Sequence, residues 1–479
     1  MRILENLEPQ GVFRFFEEMC AIPHGSSNTK AVSDWLMDFA RQRGLEAYQD
    51  RLNNVIIIKE ATPGYESAGP VILQGHMDMV CEKAPDCAKD MKTEGLDLAV
   101  EGDTVYAKGT TLGGDDGIAV AMALAILDAE DIPHPRLEAV FTVDEEIGML
   151  GAVGMEDVSM LRGRRMLNLD SEAEGVFTVS CAGGNLTQCV LPVRREAFDG
   201  QVLTVTVGGL RGGHSGVEID KGLGNACMLL GRVLTACGRE TELRLISAAG
   251  GLKDNAIPRE AAAVVSAADA RAVKAVCARL DAELKNEYRA TDAQVFVSAA
   301  ESGAGTPMDA DSTRRALTFL TCAPNGIQAM SADIPGLVQT SLNLGILTTG
   351  EDAVTASFCV RSSVDSQKRM LVERLTCLTE TLGGATAVSG DYSGWEYRPD
   401  SPLRELLTEV FTQQYGCEPK IEAIHAGVEC GIFAGKLPGL DCVSLGPDLT
   451  EIHTCRERLH IASVQRLWAM LLETLKRMK

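Results

Sequence analysis

Residues 71–78 read VILQGHMD, an apolar run that ends in a glycine, a histidine and an aspartate. Two further segments have the same form, LEAVFTVDEE at 137–146 and RMLNLD at 165–170. A helical pattern at 117–130 separates the first two runs, and strands that alternate with helices indicate a mostly parallel sheet. The carboxyl ends of such strands form the ligand-binding edge of an open α/β sheet. These segments therefore predict an α/β fold with polar residues gathered at one edge.

A different pattern occupies the middle of the chain. Its apolar periodicity predicts strand, helix, strand, strand, helix and strand, followed by a second, less complete copy of this series. We therefore predict an α/β catalytic domain formed by residues 1–186 and 393–479, in which a mostly parallel mixed sheet is flanked by helices. An α+β domain at 187–392, a lid or dimerisation domain, is inserted into it.

The composition excludes several classes of protein. With 479 residues and an apolar share of 45%, the chain has enough material for more than one folded domain. Its formal charge of −22 repels phosphate backbones and anionic membrane surfaces, so neither nucleic acid nor a membrane is an expected partner. No signal peptide or membrane-spanning run is evident, and the 15 cysteines include no C-x-x-C pair. We therefore expect a cytoplasmic protein with free thiols.

Histidines and carboxylates follow the predicted strands, and one aspartate lies in the glycine-rich turn TTLGGDDG. Imidazole and carboxylate without thiolate are the donors expected of a catalytic site for zinc or a related divalent ion. A carboxylate can bridge two ions about 3.5–4 Å apart, and the glycine-rich turn suits Asp115 to that position. Asp78, two residues after His76, is placed to fix the tautomer of that histidine. The candidate residues are His76, Asp78, Asp115, Glu145, Glu146, Asp170 and His453.

Each of these elements also has a simpler interpretation. The H-x-D sequence at 76–78 is more often a surface pair than a metal site, and two successive glutamates often begin a solvated helix. The sequence GGDDG at 113–117 is compatible with a plain turn or a weak phosphate-binding loop, although its two aspartates disfavour phosphate. The common position of these elements at strand ends favours the metal site.

The motifs together resemble a known family. The series GHMDMV, TTLGGDDG, VDEEIG, NLDSEAEG and GGHSG, followed by a late histidine, is similar to that of the di-zinc aminoacylase, carboxypeptidase and dipeptidase family. Within this family, the segments CAGG, RGGHSGVEID, NAIPRE and AIHAGVECG resemble the branch that hydrolyses aminoacyl-histidine dipeptides. The resemblance extends over nearly the whole chain and implies the same fold of a di-zinc exopeptidase.

The resemblance also implies two divalent metal ions per subunit. Zinc is the expected ion, and cobalt or manganese would fit the same donors. Asp115 would bridge the two ions. The other implied ligands are His76 and Asp170 for one ion, and Glu146 and His453 for the other.

Two catalytic roles follow from the same resemblance, and Asp78, placed by its spacing to support the site through His76, is the third catalytic candidate. Glu145 would be the general base, which takes a proton from water and passes it to the leaving amine. His214, in RGGHSG, would stabilise the oxyanion, either in its own subunit or in that of a partner. The family also has a cis peptide bond directly after the bridging residue, Asp115.

The inserted domain is expected to bind the substrate. The resemblance implies that Asn255 and Arg361 hold a substrate carboxylate, a task that suits a guanidinium group, although an ordinary surface salt bridge is an equal alternative for Arg361. Glu429, in HAGVECG, is a candidate to bind a free substrate amine. Many members of the family that the chain resembles have a shorter inserted domain, with a single copy of the repeat, and dimerise through it. The domain predicted here is about twice as long, and a homodimer is expected.

The predicted activity is the metal-dependent hydrolysis of Xaa-His and other unblocked dipeptides. An aminoacylase or N-acyl amino-acid deacetylase is the alternative enzyme, since it would use the same ions and the same Glu145 but would not require Glu429. A metal-binding or scaffold protein without catalysis would require neither Glu145 nor His214. The presence of both residues favours an enzyme.

Overall fold

The computed structural model describes residues 2–479. Its helices are α1 (Gln10–Cys20), α2 (Lys30–Gln42), α3 (Gly114–Asp128), α4 (Leu150–Gly154), α5 (Ala226–Glu240), α6 (Ala270–Glu287), α7 (Ala310–Cys322), α8 (Asp365–Thr381), α9 (Pro402–Tyr415), α10 (Glu429–Lys436) and α11 (Ile461–Arg477). Its strands are β1 (Glu46–Gln49), β2 (Val55–Lys59), β3 (Val71–His76), β4 (Leu98–Glu101), β5 (Thr104–Ala107), β6 (Leu137–Thr142), β7 (Arg165–Asn168), β8 (Val176–Cys181), β9 (Gly183–Pro192), β10 (Gln201–Gly208), β11 (Gly213–His214), β12 (Leu243–Gly250), β13 (Ala256–Ile257), β14 (Ala261–Ala267), β15 (Phe296–Glu301), β16 (Gly326–Met330), β17 (Val338–Thr349), β18 (Ala353–Ser362), β19 (Ala385–Tyr392), β20 (Lys420–Ile424), β21 (Asp441–Ser444), β22 (Leu449–Thr450) and β23 (Arg458–His460). No helix within residues 2–479 is long and apolar enough to cross a membrane.

One compact unit comprises the chain up to Ser180 together with Tyr397–Ala423 and Val428–Lys479. Its main sheet has the strand order β1-β2-β6-β3-β7-β21-β8-β20. The central strands β6, β3, β7 and β21 are parallel, whereas β1 pairs with β2, and β2 with β6, in antiparallel fashion. A mixed sheet with a parallel centre confirms the predicted fold class.

Helix α3 and strand β3 form the centre of this unit. Every residue of β3 is buried, and α3 is apolar on all sides, which is typical of a helix surrounded by protein. The two elements approach each other closely at Gly75, where an added Cβ would lie only 2.8 Å from the Cβ of Ala119. This packing holds the start of α3, where Asp115 lies, against the carboxyl end of β3, where His76 lies.

The second compact unit comprises Cys181–Glu396 and Ile424–Gly427. Its antiparallel sheet has the order β15-β10-β14-β12-β17-β18-β9-β19, with β16 added alongside β17. The first copy of the predicted repeat is β10-α5-β12-β14-α6-β15. The second copy, predicted to be incomplete, is completed by β9, which pairs with both β18 and β19. In the chain, β9 precedes β10, whereas the other strands of the second copy, β17, β18 and β19, follow β15. The first copy is therefore inserted between β9 and the rest of the second copy.

The predicted start of the inserted domain, between residues 186 and 187, falls inside β9. The compact unit instead begins at Cys181. The sequence pattern could not show this, because β9 pairs with strands that follow it by more than 150 residues. The division into 1–186, 187–392 and 393–479 stays a prediction.

The helix predicted at 221–237 is observed as α5, at Ala226–Glu240. Asn225 determines where this helix begins. Its side chain accepts hydrogen bonds from the main-chain N–H groups of Cys227 and Met228, which have no partners within the first turn of a helix. The capping residue therefore moves the start of the helix beyond the predicted position.

Candidate active site

The parallel register brings the ends of three strands to one edge of the main sheet. His76, the last residue of β3, pairs in register with Thr142, the last residue of β6. Gln74 of β3 pairs with Asn168, the last residue of β7. The segments that follow β6 and β7 therefore begin at the same edge, as predicted, and these segments carry Glu145, Glu146 and Asp170.

Asp115 lies between two histidines. Its Oδ1 is 3.1 Å from Nε2 of His76, and its Oδ2 is 3.2 Å from Nε2 of His453. The peptide bond between Asp115 and Asp116 is cis, as the family resemblance implied. The main-chain N–H of His76 donates a hydrogen bond to the Asp116 carboxyl. A carboxylate whose two oxygens face different histidines has the arrangement needed to bridge two ions.

Two groups of side chains have ligand atoms close enough to share an ion. Within each group, these atoms lie within 4.8 Å of one another. The first group is His76, Asp115 and Asp170, and the second is Asp115, Glu146 and His453. The structure thus brings the five predicted ligands together in the predicted pairings. Their role as metal ligands stays a prediction.

The cluster carries more negative charge than its histidines neutralise. Burial, together with the neighbouring carboxylates, raises the pKa of Glu145 to about 9, and burial raises the pKa of Asp170 and Glu146. Hydrogen bonds with Asp115 and Glu146 raise the pKa of His453 to about 10. Protons therefore neutralise charge that a divalent cation would neutralise better. The Glu146 Oε1 atom has no hydrogen-bond partner within residues 2–479, so the donor set fits zinc or a related ion.

Asp78 contacts both Glu145 and His76. Its Oδ1 accepts a hydrogen bond from the main-chain N–H of Glu145 at 3.1 Å, and its Oδ2 accepts one from the hydroxyl of Ser26 at 2.8 Å. Nδ1 of His76 lies 3.0 Å from the main-chain oxygen of Asp78 and 3.5 Å from its carboxyl Oδ1. The main-chain carbonyl is therefore the nearer partner that fixes the tautomer of His76, whereas the carboxylate positions Glu145.

His214 belongs to the second compact unit and has a defined tautomer. Its Nδ1 accepts hydrogen bonds from the main-chain N–H groups of Gly216 and Val217, each at 3.2 Å. The proton of the neutral ring must therefore be on Nε2. Burial and the nearby charge of Arg361 lower the pKa of His214 and keep the ring neutral. The Nε2–H group is thus a fixed donor, the type of group that stabilises an oxyanion.

Arg361 and Asn255 also belong to the second compact unit, whereas the predicted ligands belong to the first. Arg361 is only 7% exposed, and its Nη1 lies 3.4 Å from the hydroxyl of Tyr392. Its Nε has no hydrogen-bond partner in the described part of the chain. A buried guanidinium group with an unsatisfied N–H is suited to an anionic ligand. Asn255 is exposed, and its main-chain oxygen accepts a hydrogen bond from Ser215.

Glu429 is the residue predicted to bind a free substrate amine, and that role stays a prediction. The side chain lies at the start of α10 and is fully buried. Its Oε2 accepts hydrogen bonds from the amide of Gln74 at 2.5 Å and from the hydroxyl of Thr142 at 2.6 Å. Burial raises the pKa of Glu429 to about 7. Oε2 thus joins a polar network between β3 and β6, whereas Oε1 has no hydrogen-bond partner within residues 2–479.

Three features near the predicted site residues were not predicted. They are the hydrogen bond from Ser26 to Asp78, the 2.7 Å contact between the hydroxyl of Ser341 and Nε2 of His425, and the main-chain contacts of Glu457. The sequence carries no local signal for any of them, since each joins residues at least 52 positions apart.

The family of the chain is established by comparison with known proteins. A family model described as peptidase family M20/M25/M40 matches residues 72–477. The chain therefore belongs to this family of peptidases and is a peptide-bond hydrolase.

Individual relatives match over almost the full length. The chain is 38% identical to the cytosol non-specific dipeptidase of Escherichia coli (strain K12), with 99% of each protein covered. It is 36% identical to an aminoacylhistidine dipeptidase from Vibrio alginolyticus, whose crystal structure it matches with a TM-score of 0.92, covering 99% of this chain and 97% of that one. A tripeptidase from Staphylococcus aureus shares the fold at 16% identity, with a TM-score of 0.56 and coverage of 98% and 99%.

The raised pKa values predict that zinc binding releases protons and tightens as the pH rises. A histidine must lose its proton before it can coordinate an ion, and both His76 and His453 have pKa values above the usual value. From about pH 6 to about pH 8, the metal-free site holds protons that zinc must displace, so the apparent affinity for zinc should rise as the pH rises. Competition with a chelating dye measures the affinity. Calorimetry in two buffers of different ionisation enthalpy measures the protons released, and a pH-independent affinity without proton release would contradict the assignment.

Proposed function

We propose that the protein is a dipeptidase that uses two divalent ions, with zinc as the expected metal, to hydrolyse Xaa-His and other unblocked dipeptides. The observation that carries this proposal is the sharing of Asp115 by two ligand groups, with Glu145 directly before one of the ligands. The two full-length relatives, a non-specific dipeptidase and an aminoacylhistidine dipeptidase, support the choice of substrate.

The chemistry requires a base held close to the ions. Bound ions would polarise the peptide carbonyl, acidify water and favour the ionised form of Glu145. Glu145 accepts a proton from the attacking water as the new C–O bond forms. It then returns this proton to the nitrogen of the leaving amine, and the C–N bond breaks to give two amino acids. The hydrogen bond from its main-chain N–H to Asp78 fixes the position of Glu145 for both transfers.

We assign substrate recognition to the second compact unit. Arg361 is proposed to bind the C-terminal carboxylate of the dipeptide, which would satisfy its buried guanidinium group. Asn255 is proposed to assist there, and His214 to donate its Nε2–H to the oxyanion. Glu429, whose Oε1 has no hydrogen-bond partner among residues 2–479, is the proposed group for the free amine, and the preference for unblocked dipeptides is supported by the relatives.

The location and assembly of the protein are part of the proposal. A cytoplasmic location agrees with the cytosol dipeptidase of Escherichia coli and with the absence of a membrane-spanning helix among residues 2–479. We propose a homodimer, as expected from the family resemblance. Sedimentation velocity at micromolar concentration tests this, and a monomer at all concentrations would contradict it.

Three substrates distinguish a dipeptidase from an aminoacylase. We expect Ala-His to be hydrolysed, and Ala-His amide and N-acetylhistidine to show kcat/KM values lower by at least about tenfold, because each lacks one of the charges that an enzyme for free dipeptides must recognise. The measurement is the release of histidine or its amide by chromatography. Faster hydrolysis of N-acetylhistidine would identify an aminoacylase, and equal rates for Ala-His and its amide would remove the carboxylate-binding role of Arg361.

The two adjacent glutamates should differ in what their loss removes. Glu145→Gln keeps the size of the side chain but cannot accept a proton, so we expect two bound zinc ions and a turnover reduced by about 10²–10⁴. Glu146→Gln removes a ligand and should lower the zinc content as well as the rate. Metal content, substrate affinity and turnover are measured on the same preparations. Near-normal turnover of Glu145→Gln, or loss of one ion from it, would show that the two roles are wrongly assigned.

A further inference from the structure

One β-hairpin carries both a predicted ligand and a buried glutamate. Strands β22 and β23 pair with each other, and the segment between them carries His453 and Glu457. In addition, β23 pairs with β5, at Leu459 with Val105 and at His460 with Thr104. Since β5 ends at Ala107, a few residues before the turn that contains Asp115, this pairing ties the hairpin to the segment that leads into the turn.

The carboxylate of Glu457 binds the main chain of that turn. Its Oε2 accepts hydrogen bonds from the N–H groups of Leu112 at 2.7 Å and Gly113 at 3.1 Å. Its Oε1 accepts one from Gly114 at 2.8 Å and a longer one from Asp115 at 3.4 Å. Glu457 is only 3% exposed, so a single buried carboxylate collects four consecutive N–H groups. Such bonds offset the cost of burying the charge.

The packing around Gly114 shows how closely the hairpin approaches the turn. A Cβ atom added to Gly114 would lie 2.6 Å from Cδ2 of Leu449 and 3.1 Å from Oε1 of Glu457. The absence of a side chain at this position is therefore what lets the carboxylate reach the main chain. The same hairpin holds Asp115 at two points, since Glu457 binds its main chain while His453 faces its carboxylate.

We propose that Glu457 is a positioning residue for the metal centre, which fixes the main chain of the 112–115 turn so that the two oxygens of Asp115 face His76 and His453. This inference rests on the proposed metal ligands. Since Asp115 belongs to both ligand groups, displacement of the turn would weaken both ion sites. Loss of His453, by contrast, would affect mainly the site to which it belongs.

Glu138 provides a matched control for a purely structural role. It is also a fully buried carboxylate that accepts main-chain hydrogen bonds, from Arg162 and Gly163, and it also pairs with the side chain of Arg136. Glu138 is next to the first residue of β6, whereas the predicted ligand Glu146 follows the last residue of that strand. Glu138→Gln should therefore lower the thermal stability without changing the affinity for zinc.

The test is a zinc titration of full-length, metal-stripped protein in competition with a chelating dye. It compares the parent, Glu457→Gln, Glu457→Asp, Glu138→Gln and His453→Ala at a temperature at which all are folded. We expect Glu457→Gln to lose about tenfold or more in affinity at both sites, a loss typical of residues that support metal ligands. Glu457→Asp keeps the charge with a shorter reach and should lie between the parent and Glu457→Gln.

The outcomes separate this inference from the proposed function. If the parent protein itself fails to bind two zinc ions, the proposed two-ion site is wrong. If the parent binds two ions and Glu457→Gln binds both with parental affinity, or loses no more than Glu138→Gln, the positioning role is wrong. Should Glu457→Gln fail to fold, Glu457→Asp decides: reduced affinity at both sites supports the role, and parental affinity overturns it.

Discussion

The carboxylate of Asp115 has to face two histidines at once, and much of the first compact unit serves to hold it there. Helix α3 packs so closely against β3 that position 75, a glycine, has no room for a side chain. The carboxyl of Asp116 binds the main chain of His76, and that of Glu457 binds the main chain at the start of α3. The position of one side chain thus depends on β3, on α3 and on the hairpin of β22 and β23.

Gathering several carboxylates around this point carries an electrostatic cost. Burial and mutual repulsion raise the pKa values of Glu145, Glu146 and Asp170, while the histidines acquire raised pKa values from the same negative surroundings. Such an arrangement is poor as a purely structural core, because protons must replace the missing positive charge. It is well suited to divalent ions, which explains why a peptidase concentrates these groups at the edge of its sheet.

The second compact unit has the opposite chemistry. His214 is held neutral with its proton on Nε2, and Arg361 keeps a buried N–H without a partner among residues 2–479. These groups donate hydrogen bonds, whereas the carboxylates of the first unit accept them and are the candidate ligands for ions. The fold that presents them is a nested repeat, in which β9 completes a second copy of the unit that follows it in the chain.

The sequence alone determined the fold class and the five candidate ligands, because apolar runs that end in histidine or carboxylate are local patterns and because the family motifs are specific. Tertiary structure decided the rest. Packing buries Glu429 against β3 and β6, and it brings the main-chain oxygen of Asp78 to the ring of His76. Strand pairing places β9 in the second repeat. Packing also brings Glu457 to a turn more than 340 positions earlier in the chain. The physical reason is that periodicity and capping reflect neighbours along the chain, whereas these contacts form only when distant segments pack together.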